Sequence, residues 1–198
     1  MKKIFNTKIG ILLIILPLIF QSCITFTGII EEEDIVYSTK RVFFKHTGKD
    51  HTWRSPLESL EQTFVKEIKG NKNATYKVYD VLTLNSKSFR LEDKIFMIVD
   101  KDVFNVTIDN KEYEITKDIN TNTSNILTSD STKVSVVTGY SEENRKITRF
   151  SYCLTDEMVA KLKKANKVTF RYYAGPSMIS VKLNNNELKK LKKLINKR

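Results

Sequence analysis

The sequence predicts an α+β domain, a mainly antiparallel sheet with about three helices packed on it. Three observations carry this. Short β-branched and aromatic runs recur along the body, most connections between them are short, and three segments carry helix-capping signatures with an apolar face. The order near the C-terminus (strand, helix, two strands, helix) fits no purely helical or purely β class.

Taken in chain order, Ile35–Phe44 is β-branched and aromatic and predicts a strand, and His46–Trp53 a polar connection. Ser55-Pro56-Leu57-Glu58 has the form of a helix start, with Ser as N-cap, Pro in the first turn and Glu closing a capping box. Leu57, Leu60, Phe64 and Ile68 then fall on one helical face, and Gly70 is placed to end it. Tyr76–Leu84, Lys94–Val99, Val103–Ile108 and Lys111–Thr116 predict strands, with Asp109-Asn110 as a hairpin turn. Residues 118–132, rich in Asn, Thr and Ser, predict a loop, and Lys133–Tyr140 pairs with Lys146–Leu154 across Ser141–Asn144. Thr155 caps a helix through about Asn166. Val168–Tyr173 and Met178–Leu183 are strands joined by Gly175-Pro176. Asn184 with Glu187 starts a final helix lined by Leu188, Leu191, Leu194 and Ile195.

The N-terminus reads differently. Lys2, Lys3 and Lys8 precede an apolar run from Ile9 to Phe20. As a helix this run spans about 18 Å, short of the ~30 Å hydrocarbon core, which suits an export signal and not a membrane span. Phe20-Gln21-Ser22-Cys23 follows. Its small residue before Cys resembles the lipobox of bacterial lipoproteins; Phe20 and Gln21 depart from the usual pattern. The resemblance implies cleavage before Cys23, lipidation of its thiol, and anchorage of the protein in the cell envelope, with the outer membrane favoured. The expected division is 1–22 signal peptide, 23–34 lipidated N-terminus with an acidic tether (Glu31-Glu32-Glu33-Asp34), and 35–198 one globular domain.

Of 34 Lys+Arg and 23 Asp+Glu, only Lys2, Lys3 and Lys8 precede Cys23, leaving 31 basic and 23 acidic residues, net +8. From Lys161 to Arg198 there are twelve basic residues and one acid, Glu187, net +11, so the rest is −3. This asymmetry is the feature above background. Lys161, Lys163, Lys164, Lys167, Lys189, Lys190, Lys192, Lys193 and Lys197 are the candidate polyanion-binding residues, set against the plainer reading of a solvated lysine face. The partners expected are the membrane, through the lipid on Cys23, and an anionic lipid, glycan or protein, and not nucleic acid.

Other chemistry is thin. Gly-rich phosphate loops, zinc-protease helices, Gly-x-Ser-x-Gly elbows and Ser-x-x-Lys pairs are missing from the sequence. His46 and His51 are read as surface or turn histidines rather than metal ligands, Asp118–Ser124 as a polar loop rather than a calcium loop, and Asp100 and Asp102 as turn formers. Phe170–Tyr173 is read as a half-buried strand and Cys153 as a small buried hydrophobe without a disulfide partner. These readings favour a monomeric, non-enzymatic binding or scaffolding lipoprotein with no cofactor or metal. The alternatives are an envelope enzyme with an unrecognised carboxylate or Tyr/Lys site, and a surface lipoprotein that binds a polyanion or host ligand.

Overall fold

Leu60, Phe64 and Ile68 are spaced by four, which fits a helix and equally fits one face of a strand. In the computed structural model, which describes residues 28–50, 52–70, 73–127, 129–130 and 132–197, the strand prevails. The ten strands are β1 (Ile29–Asp34), β2 (Thr39–Gly48), β3 (Leu57–Lys69), β4 (Asn73–Asn85), β5 (Ile95–Val99), β6 (Asp102–Val106), β7 (Asn110–Leu127), β8 (Lys133–Cys153), β9 (Val168–Ala174) and β10 (Ser177–Lys182). Two helices, α1 (Asp156–Lys164) and α2 (Asn185–Asn196), complete the described fold.

The class is therefore mostly antiparallel β, 63% strand against 13% helix, and not α+β with three helices. The expected first helix is β3. On it Leu60, Gln62, Phe64 and Lys66 are buried in strict alternation, and the polar members of that face hide the period of two from a hydrophobicity reading. Ser55 caps no helix: its hydroxyl donates to Asp50 Oδ2 at 2.8 Å and accepts from the Leu57 amide at 3.3 Å.

The strands form two sheets, a curled six-stranded half-barrel in the order β1-β2-β3-β4-β8-β7 and a four-stranded sheet in the order β10-β9-β5-β6. All pairings are antiparallel. The sheets face each other across one core: Phe64 of β3 meets Phe170 of β9 at 6.0 Å between ring centroids, and a Cβ on Gly48 of β2 would lie 2.4 Å from Val181 of β10. That approach is why position 48 has no side chain. Leu162 of α1 and Leu188, Leu191, Leu194 and Ile195 of α2 close the core.

Several finer expectations change. Ile35–Ser38 form a turn, while Ile29–Asp34, expected as part of a tether, form a strand paired to β2. The Asp109-Asn110 hairpin does not exist: β6 pairs with β5, and the chain then crosses to the other sheet as β7. Residues 118–127 are strand rather than loop, since Thr121 and Thr123 are β-branched and every residue finds a partner on β8. Ser141–Asn144 lie within the continuous strand β8 instead of turning.

The C-terminal capping signals hold. Thr155 Oγ1 accepts from Met158 N at 3.3 Å, and Asn184 with Glu187 makes a reciprocal capping box. Phe170–Tyr173 alternates as a half-buried strand.

Candidate functional site

Two arrangements stand out, one buried and one exposed. The buried one crosses the core. Asp80 of β4 receives Gln62 Nε2 at 2.9 Å on Oδ1 and the Tyr172 hydroxyl at 2.9 Å on Oδ2. Gln62 Nε2 also lies 3.3 Å from the Tyr152 hydroxyl, and its Oε1 accepts from His46 Nε2 at 3.0 Å. His46 is stacked between Phe44 and Phe64, with ring centroids 5.6 and 5.9 Å away, and its Nδ1 faces Glu187 Oε1 of α2 at 3.6 Å. The network thus ties β2, β3, β4 and β8 to β9 and α2.

Burial pushes the Asp80 carboxyl up to about 7, although hydrogen bonds from Gln62, Tyr172 and Tyr152 favour its charged form. Burial, with Asp80 nearby, raises both tyrosines well above the ordinary phenol range, so they stay neutral. Burial also lowers the His46 pKa, against Gln62 and Glu187, which raise it. Tyr152, Tyr172, Gln62 and Asp80 are at most 1% exposed. Buried between the sheets, they tie β3, β4 and β8 of one sheet to β9 of the other. Little in the sequence signals this network, because His46 and Gln62 look like surface residues until β2 and β3 are recognised as strands.

The exposed arrangement is the lysine surface. Lys161, Lys163 and Lys164 lie on α1 and Lys167 just after it, all exposed. Lys189 and Lys193 are exposed on α2, while Lys190, Lys192 and Lys197 are half-buried. The two helices touch. Lys163 comes close enough to Lys66 to help burial lower that amine's pKa, and Lys66 Nζ donates to Ile195 O at 2.8 Å and Lys197 O at 2.5 Å, at the C-terminus of α2. Not every lysine is free. Lys161 pairs with Asp102 at 2.6 Å, Lys197 pairs with Glu31, and Lys190 lies 5.7 Å over the Phe44 ring. Among the described residues, Lys163, Lys164, Lys167, Lys189, Lys192 and Lys193 have no ion-pair partner.

The surface lies beside the start of the described chain. Ile29 pairs with Phe44, the ring under Lys190, and Glu31 pairs with Lys197. The Glu31–Lys197 ion pair thus joins β1 to the C-terminal end of α2, which packs on β2 and β3.

Cys23 and His51 lie outside the described residues. His46 is buried and not on a surface turn. Among the described residues, no group of three His, Cys, Asp or Glu is arranged to hold a metal. Asp100, at φ 54°, accepts from Asn166 N and Lys167 N, the role of a turn former. Cys153 is exposed rather than buried, at the C-terminal end of β8, with Sγ 3.5 Å from Asp109 Oδ2; partial desolvation and Asp109 raise its pKa. No described helix is long and apolar enough to cross a membrane. Compared with protein-family models, curated proteins and solved structures, the chain matches none.

Proposed function

We propose that this chain is an envelope-anchored lipoprotein whose body is a non-enzymatic binding or scaffolding module, laid on an anionic surface through the lysines of α1 and α2. One observation carries the reading: β1, which follows the lipobox-like Ser22-Cys23 by a few residues, is joined to the end of the lysine-bearing α2 by the Glu31–Lys197 ion pair. Six residue steps lead from Cys23 to Ile29, a reach of about 20 Å even when fully extended. A lipid on Cys23 therefore holds the α2 lysines close to the headgroups, where anionic lipid attracts each by about 1 kcal/mol. Two or three acyl chains supply stable anchorage, and the lysines supply orientation.

The full chain, processed in cells and purified in detergent, is reconstituted and compared with a variant carrying Lys189, Lys192, Lys193 and Lys163 changed to Gln. Proteolysis and orientation are read on vesicles with and without anionic lipid. The expected result is protection of α2 that requires anionic lipid, falls with salt over a Debye length of about 8 Å, and is lost in the variant. Equal protection in both proteins would return these lysines to a solubilising role.

A further inference from the structure

The β7–β8 hairpin outgrows its sheet. β4 pairs with β8 only as far as Asn85↔Arg145, yet β7 and β8 continue from Lys117↔Asn144 to Leu127↔Lys133. Those eleven β7 residues form a two-stranded arm about 36 Å long that pairs with no other described strand. Arg145 fixes its base through Glu58 at 3.1 Å and Asp118 at 3.4 Å. Beyond that point the arm exposes Ile119, Ile126, Leu127, Val134, Val136 and Tyr140, on both faces. A lone two-stranded ribbon is marginal in water, and its unpaired backbone edges invite another strand.

The two edges differ. β8 carries an extra residue, Thr138, between Gly139 (opposite Asn122) and Val137 (opposite Thr123), a bulge that blunts its outer edge. The β7 edge is regular, and from Ile119 to Leu127 it holds no charge and no proline, so the usual guards against strand addition are missing there.

We propose that the β7 edge of the arm pairs antiparallel with the same edge of a second copy of this chain, about a two-fold axis near Asn122. The charge pattern favours this occupant. A two-fold at Asn122 sets Thr121 opposite Thr123, Lys117 opposite Leu127 and Asp118 opposite Ile126, so no charge meets a like charge. A two-fold nearer the body, at Ile115, sets Glu112 against Asp118 twice, and this like-charge contact opposes it. With the axis at Asn122 the β7 edges overlap from Lys117 to Leu127, and the antiparallel pairing sets the two bodies at opposite ends. This dimer replaces the monomer expected from the sequence, and it is independent of the membrane-facing lysines.

The test uses the full chain in cells and in detergent, with Cys153→Ser to remove the exposed thiol. Asn122→Cys should give an oxidative crosslink between two copies, because the two-fold brings the paired Cα atoms to about 5 Å; Lys101→Cys on the β5–β6 turn should not. Sedimentation should show a dimer. Thr121→Lys with Thr123→Lys, which sets Lys against Lys twice, should raise its dissociation constant about tenfold or more without changing the melting temperature of the body. A monomer with no Asn122→Cys crosslink would overturn the proposal. So would a dimer indifferent to the two lysines, or a crosslink that joins Asn122→Cys to a different protein.

Discussion

Asp80 should contribute stability that grows as the medium becomes more acidic, and Asp80→Asn should remove that contribution. An unfolded aspartate titrates near 3.8, whereas burial moves the folded carboxyl to about 7. A folded pKa above the unfolded one means that the fold binds the proton more tightly. Its contribution is complete below about pH 4 and is lost as pH climbs to about 7. The gap corresponds to about 4 kcal/mol. The amide introduced by Asp80→Asn would keep the shape and an acceptor for Tyr172 or Gln62, but would not titrate. Urea unfolding of both proteins at about pH 4, 5.5 and 7 checks this, since the difference between them cancels every other titrating group. The wild type should lose its advantage over the variant by several kcal/mol across that range. A constant difference would mean that water reaches Asp80, and that the sealed inter-sheet network described above is wrong.

Further outcomes follow from named contacts. His46 has the opposite sign: burial lowers its folded pKa below 6.5, so its contribution is present above 6.5 and is lost as pH falls from there through the lower folded pKa, and His46→Gln should flatten that acid limb in the same unfolding assay. Lys66→Met removes the donor to Ile195 O and Lys197 O at the C-terminus of α2, and should cost about 1–3 kcal/mol, read as a lower midpoint and faster cleavage within α2. Gly48→Ala drives a Cβ to 2.4 Å from Val181 and should cost about 1–3 kcal/mol by urea titration. Melting should be insensitive to reductant and chelator; a large loss with chelator would reveal a metal site that the described residues do not form.

Much of the C-terminal half was legible in the sequence. The caps at Thr155 and Asn184, the faces of α1 and α2, and the β9–β10 hairpin follow from local chemistry, and local chemistry decides them. The N-terminal half misled because its strands bury polar side chains. Gln62 and Lys66 occupy inward positions on β3, so apolar residues recur there every four positions and imitate a helix. Only the partners, Asp80 and His46 for Gln62 and the α2 carbonyls for Lys66, show why those positions are polar, and they lie on other strands or at the far end of the chain. The β7–β8 arm was hidden for a related reason. Asn, Thr and Ser signal a loop, but β-branched threonine also suits a fully exposed strand when a long partner is available. The lysine surface was legible as charge, but its position beside β1 depends on the antiparallel pairing of Ile29 with Phe44 and on the Glu31–Lys197 ion pair.

Whether lipid and lysines hold one face of the body against the membrane is read by site-specific quenching. The full chain, processed in cells and carrying Cys153→Ser, is reconstituted into vesicles containing anionic lipid and headgroup-labelled quencher. A fluorophore is placed either at Lys193→Cys on α2 or at Tyr140→Cys on the arm, which lies at the opposite edge of the six-stranded sheet from β1. Mass spectrometry should find an acylated Cys23, and quenching should be strong at position 193, weakened by salt, with little at 140. An unmodified residue 1–22 segment in the purified protein, or quenching at 140 equal to that at 193, would contradict this.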